Sequence, residues 1–168
     1  AATTPLDPRV RAAMEPYLTS EYGNPSALYD AGRRTKRAID AARADVAAVF
    51  HCRPEEIIFT GSGTESDNMA VLGVPRFHAS KGRHVIISAI EHHAVLNAAE
   101  RIKKEGFDVT ILPVDEYGRV SPESVRAALT PATTFVSIMA ANNEIGTIEP
   151  IREIAKVMRE WKQAQGRK

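Results

Sequence analysis

The 168-residue sequence is poor in cysteine, with Cys52 as its single thiol. One cysteine cannot form an internal disulfide, so a disulfide-stabilised scaffold is excluded. The absence of disulfides fits a reducing compartment, and we expect a cytoplasmic protein. Cys52 lies in the segment HCRPEEI, ahead of the first predicted strand, and we interpret it as a structural residue.

Long apolar runs and an excess of one charge are also missing. No stretch approaches the roughly 20 apolar residues of a membrane span, and the first residues lack the pattern of a signal peptide. The 22 Lys and Arg residues nearly balance the 21 Asp and Glu residues, giving a net charge of +1. We therefore predict neither nucleic acid nor a membrane as a partner, and expect a soluble globular protein.

Two helices are predicted in the first third of the chain. Asp7 is a typical N-cap and Pro8 suits the first helical position, so a helix should run to about residue 18. Pro16 is expected to bend or shorten this helix. After the turn-rich segment SEYGNPSALYDAG, the apolar periodicity of residues 31–50 predicts a longer amphipathic helix.

Strand and helix patterns then alternate. Four short runs rich in β-branched residues predict buried strands: EIIFT, HVIIS, DVTIL and TTFVSIMA. Helical patterns follow them over residues 64–80, 92–104, 122–129 and 150–164. This order predicts an α/β fold, mainly a parallel sheet with helices on both faces. In such sheets, ligands bind beyond the carboxyl ends of the strands.

The first candidate site is the GSGT turn at residues 61–64, after the EIIFT run. Glycines let successive backbone N–H groups point at one spot, and a helix start adds partial positive charge, which suits a phosphate. The alternative is a plain strand-to-helix connection with Thr64 as N-cap. The turn matches neither the P-loop nor the dinucleotide-binding glycine motif.

His92 and Asn143 follow two later strands. The His92 ring could stack on a planar ligand or transfer protons; alternatively, it caps a helix or is merely exposed. A metal site at Glu91, His92 and His93 is disfavoured, because adjacent residues rarely chelate one ion. Asn143, in the segment NNEIG, could bind a hydroxyl or carboxylate, and the alternative is a turn in which Gly146 takes a positive φ.

Five blocks of the sequence resemble a known family in order and spacing. They are AATTPLDPRV, YGNPSALYDAG, EEIIFTGSGTESDNMAVLG, HVIISAIEHHAVLNAAE and FVSIMAANNEIGTIEPI. Together they resemble the N-terminal half of cysteine desulfurases of the NifS/IscS type. These are class V aminotransferases, which use pyridoxal 5'-phosphate (PLP) and have the type I fold. The resemblance covers almost the whole chain.

The resemblance implies roles for four residues. Gly63 and Thr64 would hold the PLP phosphate. His92 would stack on the pyridine ring and assist proton transfer as a catalytic residue, and Asn143 would contact the cofactor near its 3-hydroxyl. This chain reads TGSGTE where the family usually reads TSGATE, so the phosphate cup is expected to be looser. No metal site is implied.

The resemblance also implies a reaction and partners. The parent protein would convert L-cysteine to L-alanine and pass sulfur to an acceptor or scaffold protein, as in iron–sulfur cluster assembly, and would be a homodimer. The alternative is another class V member, such as a selenocysteine lyase.

Several family parts are not in this sequence: the Asp that pairs with the pyridine nitrogen, the Ser-x-His-Lys segment whose Lys holds PLP as a Schiff base, and the persulfide-forming Cys. We expect residues 1–14 to belong to the family's small domain and residues 15–168 to an incomplete large domain. In the family's strand order, the second to fourth predicted strands would be neighbours and the first would lie apart. We therefore expect a truncated or proteolysed piece that is inactive alone and not independently stable, unless another copy covers the gap in the sheet. A second hypothesis is that the chain as it stands is a non-catalytic binding or scaffold fragment.

Overall fold

The computed structural model describes residues 3–166. The chain divides into two compact units, one over Thr3–Phe59 and a second that begins at Thr60. No helix in the described range is both long and apolar enough to cross a membrane.

The first unit contains the two predicted helices, which are confirmed: α1 at Pro8–Thr19 and α2 at Asp30–Phe50. Asp7 caps α1, because its carboxylate accepts the Arg9 N–H at 2.8 Å. Pro16 lies inside α1, which continues for three further residues, so this proline does not shorten the helix.

The strand predicted for EIIFT is wrong for this chain. A 3-10 turn covers Pro54–Glu56, and residues 57–60 belong to none of the strands in the described range. Ile58 and Phe59 are 67% and 50% exposed. A β-branched run becomes a strand only when a neighbour pairs with its N–H and C=O groups. This run has the composition of a strand, but none of the described strands pairs with it.

The second unit holds the predicted α/β alternation. Its elements are α3 (Gly63–Asn68), α4 (Val74–Phe77), β1 (His84–Ser88), α5 (His93–Lys104), β2 (Asp108–Leu112), α6 (Pro122–Ala128), β3 (Thr133–Ser137) and α7 (Ile151–Ala164). Three of the four predicted strands and all four helical regions are therefore confirmed.

The helical region after the GSGT turn contains a feature that periodicity did not predict. A π-helical turn at Met69–Gly73 joins α3 to α4 in one continuous helical run. Pro75 follows at the start of α4 and has no N–H to donate to the preceding turn. A wider turn just before this proline accommodates the missing hydrogen bond.

The sheet has the strand order β2-β1-β3, and both pairings are parallel. This order confirms the arrangement expected for the second, third and fourth predicted strands. Because the strands are parallel, their carboxyl ends meet at one edge of the sheet, and the segments that follow them lie there.

Helices cover both faces of the sheet, as predicted. β1 is the central strand and all five of its residues are buried. Val85 and Ile87 point to one face, into a core shared with α5. Ile86 points to the other, where it packs with Val125 of α6 and Ile154 of α7. The alternation of side chains along one strand thus places a separate apolar core on each face.

Candidate functional site

The carboxyl edge of the sheet brings together the loops that follow β1 and β3. The Asn142 amide nitrogen donates to the Ile90 carbonyl at 3.1 Å. In the opposite direction, the Met139 N–H donates to the Glu91 carboxylate at 2.8 Å. The loop that carries His92 and the loop that carries Asn143 are therefore joined directly.

The GSGT turn starts the helix that packs beside α5. Its N-cap is Ser62, whose hydroxyl accepts the Glu65 N–H at 3.2 Å, so the alternative with Thr64 as N-cap is wrong. The Glu65 carboxylate reaches back to accept the Gly61 N–H at 2.7 Å. This reciprocal capping starts the helix at Gly63 and leaves Thr64 in its first turn.

The turn leaves two backbone donors available for a ligand. Within the described residues, the N–H groups of Gly63 and Thr64 have no hydrogen-bond partner. Both residues are exposed, and a Cβ added at Gly63 would meet nothing within 4 Å. Two open N–H groups, an adjacent hydroxyl and a helix start form a donor set that fits a phosphate.

His92 is the N-cap of α5. Its Nδ1 accepts the Ala94 N–H at 3.1 Å, which confirms the capping alternative. This bond requires an unprotonated Nδ1, so the neutral ring carries its proton on Nε2. The side chain is exposed, and the cap fixes its ring while leaving Nε2 available. Capping is therefore compatible with a contact to a ligand.

Asn142 and Asn143 have different surroundings. The Asn142 side-chain oxygen accepts the N–H groups of Glu144 and Ile145 at 2.9 and 3.0 Å. Gly146 has φ 75°, so the predicted turn is confirmed. Asn142 is thus hydrogen-bonded within its own loop. Asn143, the residue predicted to contact a ligand, is half-buried beside it.

Glu91 is a functional candidate that the sequence suggested only as part of a disfavoured metal site. It is only 7% exposed, and its Oε1 accepts both the Ser88 hydroxyl at 2.9 Å and the Met139 N–H. Burial raises the pKa of its carboxyl, the negative charges of Asp67 and Glu149 add to that effect, and the two hydrogen bonds oppose it. An acidic residue three positions beyond a predicted buried strand was the available signal.

Glu149 is the second buried carboxylate near this edge. It is 4% exposed, and its Oε2 accepts the Val120 N–H at 2.8 Å. Its Oε1 is buried and has no hydrogen-bond partner in the described part of the chain. No group of three or more His, Cys, Asp and Glu in residues 3–166 could hold a metal ion.

Comparisons with known proteins give consistent results. The family model described as aminotransferase class-V matches residues 1–165. A protein named cysteine desulfurase IscS, from Dictyoglomus turgidum, is 49% identical over 161 residues, which are 96% of this chain and 41% of that protein.

Two solved structures are similar to this chain. One, described as a NifS-like protein, has a TM-score of 0.90 at 36% identity, over 95% of this chain and 44% of its own. The other, described as SspA in complex with cysteine, has a TM-score of 0.89 at 35% identity, over 96% of this chain and 46% of its own. The chain thus spans less than half the length of the proteins it matches.

Proposed function

Because this chain belongs to the aminotransferase class-V family, we propose that its parent protein is a PLP-dependent cysteine desulfurase. The parent would convert L-cysteine to L-alanine and transfer the sulfur to an acceptor or scaffold protein, as in iron–sulfur cluster assembly. Support comes from a relative of that name at 49% identity and from a similar structure described as a complex with cysteine. The observation that carries the proposal is the pair of open N–H groups at Gly63 and Thr64, which suit a phosphate and start a helix that packs beside α5, the helix that His92 caps.

The residues present fit PLP. The open N–H groups of Gly63 and Thr64 would bind the phosphate, whose charge the helix start favours. His92 would lie against the pyridine ring, and the Asn143 amide would contact the 3-hydroxyl. When bound, PLP supplies an electron sink for the substrate carbanion, while the protein supplies placement and charge.

The helix cap gives His92 a defined chemical role. Because Nδ1 accepts the Ala94 N–H, the exchangeable proton of the neutral ring is on Nε2, at the exposed edge. While this bond holds, Nε2–H can donate a hydrogen bond to a ligand. To take up a proton, the neutral ring would use Nδ1 and release the Ala94 N–H, after which the imidazolium can give up its Nε2 proton. We assign to His92 both contact with the cofactor ring and proton transfer to or from the substrate.

The remaining parts of the reaction lie outside this sequence. In the parent, a Lys of the Ser-x-His-Lys segment would hold PLP as a Schiff base, and a Cys would take up the sulfur. Residues 1–14 would belong to the small domain and residues 15–168 to the large domain. The parent would act in the cytoplasm as a homodimer.

The site assignment is tested by histidine and asparagine variants of the parent protein. His92→Ala and Asn143→Ala should each lower alanine formation from L-cysteine at least about 100-fold, as expected for loss of an acid–base or positioning group. His93→Ala is the matched control, because His93 is the neighbouring exposed ring on the same helix start and should leave the rate near wild type. Wild-type rates in both His92→Ala and Asn143→Ala would reject the assignment.

A further inference from the structure

The two loops that carry His92 and Asn143 leave neighbouring strands. His92 ends the loop after β1, and Asn143 lies in the loop after β3. These strands are paired in parallel, so both loops start from one edge of the sheet. The strand pairing fixes where the two loops begin. The distance between the loops is then set by contacts beyond the strand ends.

The first such contact is made by Glu91, which precedes His92. Its Oε1 accepts the Met139 N–H at 2.8 Å, and it also accepts the hydroxyl of Ser88, the last residue of β1. Glu91 is 7% exposed and Ser88 is fully buried. Water therefore competes little for these hydrogen bonds, which are electrostatically stronger in the low-dielectric interior than in water.

The second contact runs in the reverse direction and is made by Asn142, which precedes Asn143. Its amide nitrogen donates to the Ile90 carbonyl in the loop after β1, at 3.1 Å. Its amide oxygen accepts two N–H groups of its own loop, at Glu144 and Ile145. We call the reciprocal pair of contacts, from Glu91 to Met139 and from Asn142 to Ile90, the loop brace.

We propose that Glu91 and Asn142 are positioning residues, which through the loop brace fix His92 and Asn143 relative to each other for binding of the cofactor. This role rests on the proposed function. Each brace residue is adjacent in sequence to a cofactor-contacting residue, and each bonds to the backbone of the opposite loop. A displacement of either loop by about 1 Å would misplace a contact group, which can lower a rate about 100-fold.

Four variants of the full-length parent protein test the brace. Glu91→Ala removes the acceptor for Ser88 and Met139. Glu91→Gln keeps an oxygen that can accept both bonds and should rescue the function. Asn142→Asp keeps the acceptor for its own turn but has no hydrogen to donate to Ile90. Thr110→Val is the control, since it removes a hydrogen bond to His84, the first residue of β1, at the other end of the strand.

The measurements are the Kd for PLP and the visible circular dichroism of the bound cofactor, which reports the setting of its ring. Glu91→Ala and Asn142→Asp should raise the Kd about tenfold or more and alter the dichroism. Loss of residues that support the ligands of a bound metal weakens binding to a similar extent. Glu91→Gln should stay within about twofold of wild type. Thr110→Val should lower the Tm and leave both cofactor signals unchanged.

Two results would overturn the loop brace while leaving the proposed function intact. One is a wild-type Kd and dichroism in both Glu91→Ala and Asn142→Asp. The other is a Glu91→Gln protein as defective as Glu91→Ala. A wild-type parent that binds no PLP would instead overturn the proposed function, and with it the role of the brace.

Discussion

The side chains at the carboxyl edge depend on partners far along the chain. Glu91 and Met139 are 48 residues apart, and Asn142 and Ile90 are 52 residues apart. Sequence reasoning proposed His92 and Asn143 as candidates, because ring and amide side chains just past predicted strands suit a ligand. It could not identify Glu91 and Asn142 as connecting residues, because no local pattern specifies which backbone group will lie opposite a side chain.

Glu91 also gives a prediction for pH. Its pKa is raised by burial above the ordinary value of 4.5, so the folded protein holds this proton more tightly than the unfolded chain does. The stability it contributes is present below about pH 4.5 and is lost as the pH rises through the raised pKa. Glu91→Gln removes this dependence, because the amide does not ionise.

The measurement is the Tm of the parent and of Glu91→Gln at a series of pH values. The Tm of Glu91→Gln relative to wild type should increase as the pH rises from about 4.5 through the raised pKa of Glu91, and then level off. A difference that is constant over this range would show that Glu91 has the same pKa in the folded and unfolded states.

At the scale of single elements, periodicity was sufficient for helices but only partly so for strands. Both N-terminal helices and the four helical regions of the second unit follow from apolar spacing and caps such as Asp7. The run EIIFT has the composition of a strand, yet it pairs with none of the described strands. Pairing depends on which segments lie beside a run in the fold, and the composition of the run does not specify this. The π-helical turn at Met69–Gly73 was missed, although Pro75 shortly after it was a visible signal.

The cap of the candidate phosphate-binding helix can be tested against a matched cap elsewhere. Ser62 and Ser121 are both N-caps, and each hydroxyl accepts a backbone N–H at 3.2 Å. Ser62→Ala and Ser121→Ala should each lower the stability of the parent by about 0.5–2 kcal/mol. Only Ser62→Ala should also raise the Kd for PLP, because it alone loosens the turn that presents Gly63 and Thr64.

Thermal or denaturant unfolding and a PLP titration of the two variants provide the comparison. An equal effect of both substitutions on the Kd would mean that the turn at Ser62 does not hold the phosphate.

At the scale of the whole molecule, the strand order and the two covered faces could be predicted. The order β2-β1-β3 followed from the family resemblance, and the two cores followed from the continuous apolar run of β1. The match covers 41% of the Dictyoglomus turgidum relative, so the comparison with that protein bears only on the strands described above. The domain boundary between residues 14 and 15 stays a prediction.

The same scale gives a prediction for the 168-residue chain alone. It does not contain the Ser-x-His-Lys segment, so added PLP should form no stable bond with it, and it should form no alanine from L-cysteine. Borohydride reduction followed by intact mass measurement checks the first point. The chain should keep its unmodified mass, while the parent, treated identically, should carry one pyridoxyl group. A specific pyridoxyl adduct on the chain, or turnover by it, would contradict the assignment of roles.

The most direct test of the account is the alanine formed from L-cysteine by the parent protein loaded with PLP, in the presence of a thiol reductant. The account predicts one alanine for each cysteine consumed, with the sulfur recovered on the protein or as sulfide. A parent that binds PLP but forms alanine only from L-selenocysteine would instead be a selenocysteine lyase. Alanine formation from neither substrate would contradict the central claim.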